Sequence, residues 1–205
     1  LSGGRMKAGA VKFADTAEEA AAHFDAIMPI VVKGETARSI LIEEKSSVAQ
    51  EYFVAITWDG RAKKPVLIFS DMGGIDIEEV AEKHPDHVST THFSSILPLT
   101  PRIAKEAIGA TGVGGSALNR LTPIVFELMN IFLEYDLTLA EINPLAKLKD
   151  GRFLVLDGHI DMEAEARGSH KALLDELGIG DEETRQGRPP TGFELAGARV
   201  NAADH

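Results

Sequence analysis

The chain has 205 residues, 44% hydrophobic and 26% charged, which is enough apolar material for one sizeable core or two small ones. A formal net charge of −11 excludes the basic footprint of a phosphate-backbone binder, so no nucleic acid is expected as a partner. The absence of cysteine excludes disulfides, thiolate metal sites and cysteine nucleophiles, and no apolar run is long enough for a membrane span. Residue 1 is Leu and the chain opens inside a glycine motif with no signal peptide, so the natural N-terminus is expected upstream.

Residues 1–9, LSGGRMKAG, read as a glycine-rich basic loop, and residues 10–14 as a short strand. Thr16 with Glu19 is a capping-box pattern that opens a helix over 17–28. Strand patterns follow at 38–44, 51–58 and 65–70, with Asp59-Gly60 marking a hairpin between the last two. Residues 71–74 form a loop, Asp76 caps a helix over 77–83, and 87–93 reads as a strand. Helices are predicted over 101–110 and 117–134, separated by the glycine loop 112–115. The second places Leu121, Ile124, Val125, Leu128, Ile131 and Phe132 on one stripe. Two strand patterns flank Asp150-Gly151 within 138–157, and a helix over 161–177 is expected to break near Gly168. Residues 180–205, rich in Gly, Pro and charge, read as a linker or a frayed end. Frequent hairpin signals without strict strand–helix alternation predict an α+β fold with a mostly antiparallel sheet and flanking helices.

Three segments carry candidate chemistry. In the first loop, Gly3, Gly4, Arg5, Lys7 and Gly9 suit close backbone approach to an anion, or simply a mobile terminus; the GK[ST] ending of a Walker loop is absent. Glu43, Glu44 and Glu51 bracket a sheet segment, where a carboxylate is either solvated or holds a ribose hydroxyl, and connector backbone can read an adenine edge. Gly73-Gly74 before Asp76, Glu78 and Glu79 fits a turn with a capped helix start, and is compatible with a loop that closes on a substrate.

The strongest set is in LAEINPLAKLKDGRFLVLDG, residues 139–158. Asn143 and Asp157 are equidistant from Asp150, so a tight hairpin brings them nearly opposite each other. Strand alternation puts Glu141 on the same face as Asn143. The pattern FLVLDG, apolar on both faces, predicts a strand buried on both sides, where three oxygen-bearing side chains need a partner. A hard cation such as Mg²⁺, shared with a substrate's phosphates, supplies one. Of seven histidines only His159 lies beside this set, and His84, His87 and His92 have no metal-ligand spacing.

GGRMKAGAVKFA, ILIEEKSSVAQEYFVAIT, PVLIFSDMGGIDIEEVA and LAEINPLAKLKDGRFLVLDG, in this order and spacing, resemble the ATP-grasp region of the succinyl-CoA synthetase β subunit. Its relatives are malate–CoA ligase, citryl-CoA synthetase and part of ATP-citrate lyase. The resemblance covers about residues 1–165. It implies an ATP-grasp fold over 1–178, N-terminally incomplete, with 179–205 leading toward a CoA-ligase domain that is absent here.

It also implies site roles. Gly3, Gly4 and Arg5 would belong to the phosphate-covering loop, Glu43, Glu44 and Ser46 to the adenine-reading segment, and Glu51 would hold the ribose. Asn143 and Asp157 would bind Mg²⁺, and Glu141 would be the catalytic acid near the reacting phosphate. The implied reaction is acid + CoA + ATP to acyl-CoA + ADP + phosphate in a cytoplasmic enzyme. Its acid is succinate, or malate or citrate within the same family. The phosphorylated histidine belongs to a partner α subunit, so this chain alone should be inactive. The reading from a different class is a non-catalytic ATP-grasp-like binding module. Met6, where many members have glycine, and Lys45-Ser46-Ser47, which differs from the common hinge, are departures from the family pattern.

Overall fold

The computed structural model describes residues 8–32 and 34–180. By its internal contacts the chain divides into a first unit, Leu1–Met162, and a second, Glu163–His205. In the second unit a 3₁₀ turn at Ala164–Ala166 and a short helix α5 at Lys171–Glu176 replace one continuous helix, with the break around Gly168 as expected.

The first unit opens with α1, Ala17–Ile27. The Thr16 hydroxyl accepts from the Glu19 N–H at 3.2 Å, and the Glu19 carboxylate accepts from the Asp15 N–H at 2.9 Å. The capping box therefore closes one residue earlier than the usual reciprocal bond. A two-rung hairpin, β1 at Val31–Val32 and β2 at Glu35–Thr36, turns at Gly34 with φ +87°. The expected strands at 10–14 and 38–44 are absent. Both runs are without a ladder, and Phe13 (63%), Leu41 (81%) and Ile42 (70%) stay exposed. A β-prone run becomes a strand only where a neighbour pairs with its backbone.

The sheet is built from β3 (Val48–Asp59), β4 (Lys64–Ser70), β5 (Val88–His92), β6 (Leu137–Leu148), β7 (Phe153–Val155) and β8 (Gly158–Met162). Its order is β5-β4-β3-β6-β7, β8 also pairs with β6, and every pairing is antiparallel. The β3–β4 hairpin turns where the Asp59 carboxylate accepts from the Arg61 and Ala62 N–H groups at 2.8 and 3.1 Å. Those bonds, with His92 at 2.7 Å, lower the Asp59 pKa to about 2. The β6–β7 connection closes through the Leu148 N–H to the Arg152 carbonyl at 2.8 Å, with Gly151 at φ +86°.

Between β4 and β5 runs α2, Ile77–Lys83, capped by the Asp76 carboxylate on the Glu78 N–H at 3.1 Å. Helices α3, Pro101–Ala110, and α4, Gly115–Glu134, pack on one face of the sheet. Tyr52, Val54 and Ile56 of β3, Leu67 and Phe69 of β4 and Ala140, Ile142 and Leu145 of β6 face Ala107, Ile108, Leu121, Val125, Met129 and Phe132. Leu121, Val125, Leu128 and Phe132 of the expected stripe are buried, and Ile124 and Ile131 pack on its edge. The Trp58 indole N–H donates to the Leu137 carbonyl at 3.0 Å with its ring 5.8 Å from Phe132.

The reading of FLVLDG as a strand buried on both faces is corrected. β7 is a three-residue edge strand, and Leu154 and Val155 are 41% and 50% exposed. Among the described residues only β6 pairs with it. No helix among the described residues is long and apolar enough to cross a membrane.

Phe132 is fully buried where α4 meets the sheet. Phe132→Ala should cost about 3–5 kcal/mol of stability, read from urea unfolding of the chain.

Candidate functional site

The sheet face away from α3 and α4 carries the polar residues. Val54↔Ile142 and Ile56↔Ala140 are paired toward the helices, so Ala55↔Glu141 and Thr57↔Leu139 face the other way. Between Tyr52↔Leu145 and Val54↔Ile142, two residues of β6, Asn143 and Pro144, oppose one of β3, Phe53. Alternation from Ile142 already puts Asn143 on the face of Glu141, and the bulge returns Leu145 to the helix-facing row. The Asn143–Pro144 peptide is cis.

On the other side of β6 the Asn143 N–H donates to the Asp157 carbonyl at 3.1 Å, so the expected opposition of the two residues is present. Glu141 pairs with His159, two rungs further along. Glu141, Asn143, Asp157 and His159 are all half-buried. His159 Nε2 lies 3.1 Å from Asp161 Oδ2 but outside hydrogen-bond geometry. Among the described residues no three His, Asp or Glu side chains converge into a ready metal cage. The donor set is nevertheless one of hard oxygens, an amide beside carboxylates, which suits a Mg²⁺ that keeps most of its ligands from water and phosphate.

Loop 71–74 closes over the end of β3. The Gly73 N–H donates to the Glu51 carbonyl at 3.1 Å, and the Gly74 N–H donates to Asn143 Oδ1 at 2.9 Å. Gln50 donates from its amide to the Asp71 carbonyl at 2.7 Å, and the Met72 N–H donates to Ser70 Oγ at 3.0 Å. His87 Nδ1 lies 2.7 Å from Asp71 Oδ1. Below the loop is a groove of 380 Å³ walled by Val48, Gln50, Glu51, Asp71, Met72 and Ile75. Beside it burial, with the Asp71 charge adding, raises the Tyr52 phenol pKa.

The predicted residues therefore fall into three groups. Glu51 and Asn143 are brought together through the glycine loop, and Asp157 and Glu141 share the neighbourhood of Asn143 on β6 and the strand beside it. Glu43 and Glu44 are exposed on unpaired chain leading into β3, and the half-buried Ser46 accepts through its carbonyl from the Val48 N–H at 3.1 Å; none of the three walls the groove. Gly3, Gly4 and Arg5 lie outside the described residues. Sequence reasoning missed Gln50, Asp71 and His87. The strand pattern read at 51–58 starts just after Gln50, and a 16-residue separation hides the Asp71–His87 contact.

Two helices on one face of an antiparallel sheet, with glycine amides and oxygen ligands on the other, define an α+β domain that presents a polar cleft from a rigid sheet. The profile of the ATP-grasp domain matches residues 1–147, and the chain belongs to that family. It is 39% identical over 173 residues to the ADP-forming succinate–CoA ligase β subunit of Methanocaldococcus jannaschii, covering 83% of this chain and 48% of that protein. It is 35% identical over 173 residues to the GDP-forming β subunit of Thermus thermophilus, covering 84% of this chain and 46% of that one. The chain thus spans about half the length of the curated relatives it matches. ATP citrate lyase from Methanothrix soehngenii shares the fold with a TM-score of 0.63 at 22% identity, over 91% of this chain and 42% of that chain. A dinucleotide-forming acetyl-coenzyme A synthetase from Ca. Korarchaeum cryptofilum does so with a TM-score of 0.52 at 19% identity, over 78% of this chain and 70% of that chain.

At Gly73 a Cβ would fall on the Tyr52 backbone, 2.6 Å from its nitrogen and closer still to its carbonyl oxygen. Gly73→Ala should destabilise the chain by about 1–3 kcal/mol, measured by thermal or urea unfolding, because the obstacle is backbone that cannot rotate aside.

Proposed function

We propose that this chain is the nucleotide-binding part of the β subunit of an ATP-dependent acid–CoA ligase, with succinate as the acid. The observation that carries the reading is the bond from the Gly74 N–H to Asn143 Oδ1, which joins the Glu51 groove to the Asn143/Asp157 pair across one sheet face. A nucleoside triphosphate is long and needs a sugar end and a phosphate end held at a fixed separation. β3 and the bulge of β6 supply two such ends on one rigid support. The names of the curated relatives supply the reaction class.

In this reading ATP lies along the groove, and Glu51 accepts hydrogen bonds from the ribose hydroxyls. Glu43, Glu44 and Ser46 on the connector meet the base, and Gly3, Gly4 and Arg5 cover the phosphates. Asn143 and Asp157 hold Mg²⁺, which when bound neutralises phosphate charge. Glu141, two residues from Asn143 on the same face, sits toward the phosphoryl acceptor. The acceptor is a histidine of a partner α subunit, and phosphoryl transfer to it requires positioning and charge compensation more than covalent help from this chain. ATP-grasp residues 1–178 then lead through 179–205 to a CoA-ligase domain. CoA and a dicarboxylic acid bind mostly outside this region, and the complex works in the cytoplasm.

With the full-length chain and its α partner, Asn143→Ala combined with Asp157→Ala should lower Mg·ATP-dependent phosphorylation of the partner by about 10²-fold or more, followed with γ-labelled ATP. Unchanged labelling overturns the metal assignment. The unmodified complex, given ATP and CoA with succinate, malate or citrate in turn, should form succinyl-CoA fastest by a thioester assay. Turnover of malate or citrate instead reassigns the acid, and turnover of none favours a binding module.

A further inference from the structure

We propose that Gly74 is a positioning residue: its N–H orients the Asn143 amide oxygen toward the metal, and its lack of a side chain leaves the space that the Glu51 carboxylate occupies. This inference rests on the nucleotide-site reading of Glu51 and Asn143 and assigns a role to a residue that touches both.

An asparagine amide can present either its oxygen or its NH₂ group, and only the oxygen ligates a hard cation. The Gly74 N–H can be answered only by an acceptor, so the 2.9 Å bond to Oδ1 selects one of the two orientations. The oxygen keeps a second lone pair for a metal. Partners of this outer-shell kind typically alter metal affinity by about 10–100-fold.

Two further observations make position 74 particular. Its φ is +75°, in the left-handed region where a side chain is strained. A Cβ built there would fall on Glu51 Oε2 and lie 3.2 Å from Glu51 Cδ. Gly9, Gly34, Gly112, Gly115 and Gly178 also have positive φ, yet a Cβ at any of them would meet nothing within 4 Å. Those glycines serve only their turns, whereas at 74 the missing side chain makes room for an acid of the site. The turn is also held in place: Gly73 is bonded to the Glu51 carbonyl, Gln50 to the Asp71 carbonyl, and His87 lies against the Asp71 carboxylate. A side chain at 74 would therefore disturb both ends at once, pushing the Glu51 carboxylate aside and turning the N–H away from Asn143.

The test uses the ¹⁵N-labelled chain, whose 22.0 kDa suits amide NMR. Titration with Mg·ATP into the millimolar range should shift the Gly74 amide and slow its hydrogen exchange several-fold. ATP in EDTA should leave it near its starting position, and Gly112 serves as the internal control. In parallel, Mn²⁺ affinity in the presence of ATP, read by electron paramagnetic resonance, should fall about 10–100-fold in Gly74→Ala, with circular dichroism confirming that the variant is folded. A folded Gly74→Ala variant with wild-type Mn²⁺ affinity overturns the inference. So does a Gly74 amide unmoved in Mg·ATP-saturated wild type, and that measurement decides the matter if the variant does not fold. A wild-type chain that binds no Mg·ATP overturns the nucleotide-site reading and this inference with it, whereas binding with an indifferent Gly74 overturns the inference alone.

Discussion

The antiparallel pairing of β3 with β6 places the two ends of the candidate site, because Glu51 stands on one strand and Glu141 and Asn143 on the other. In a regular ladder each residue's face is fixed by its parity, and a slip of one residue would send every polar group of the pair into the helix-packed core. The register is held from the apolar side, where Tyr52, Val54 and Ile56 interlock with Ala140, Ile142 and Leu145 under α4. Burial on one face thus determines what the other face can present. The ladder departs from regularity where Asn143 and Pro144 share Phe53 as their opposite number. A bulge costs a ladder bond and leaves a residue unpaired, so its presence inside a central strand has to be compensated locally. Asn143 supplies that compensation in two directions, donating its N–H to the Asp157 carbonyl and accepting on its side chain from Gly74.

The rest of the site follows from how the sheet's polar face is covered. Over the end of β3 the cover is loop 71–74, whose backbone groups must find partners of their own. They find them on Glu51, Gln50, Ser70 and Asn143. A Cβ at 73 would overlap the backbone of Tyr52, and one at 74, where φ is +75°, would displace the Glu51 carboxylate. The hairpin tip is tied separately, by the Arg120 guanidinium of α4 donating to the Gly151 carbonyl at 2.7 Å.

Much of this was legible in the residues because the signals were short-range. The Thr16 and Asp76 caps, the α4 stripe, the two hairpins and the equidistance of Asn143 and Asp157 from Asp150 all depend on spacings of a few residues. Each is present, with the cap at Glu19 displaced to Asp15. The failures share another cause. Residues 10–14 and 38–44 have strand composition, but pairing is decided by what lies alongside, which composition does not encode. FLVLDG is apolar at successive positions, and that pattern does not reveal whether a second layer covers the strand; here Leu154 and Val155 of β7 stay exposed. In the candidate site, the polar residues of 139–158 could be chosen from alternation. The Gly74–Asn143 bond spans 69 residues, and Gly73-Gly74 read first as an ordinary turn.

Charge sets the terms on which an anion could use this face. The whole chain carries a formal −11, and Glu51, Glu141 and Asp157 all belong to the candidate site. A triphosphate brought alone to such a surface meets like charge at short range in a partly desolvated setting, where repulsion is stronger than in bulk water. Backbone amides and an asparagine cannot offset that, since they contribute dipoles and not charge. The same carboxylates become assets once a divalent cation accompanies the phosphates, because a ligand that is repulsive by itself then completes a coordination shell. Acidic composition, which argues against a nucleic-acid backbone as partner, is therefore consistent with a nucleotide that arrives with its cation. It also makes the orientation of Asn143 consequential: as the uncharged oxygen donor of the set, it can ligate a cation without adding to the repulsion of the phosphates.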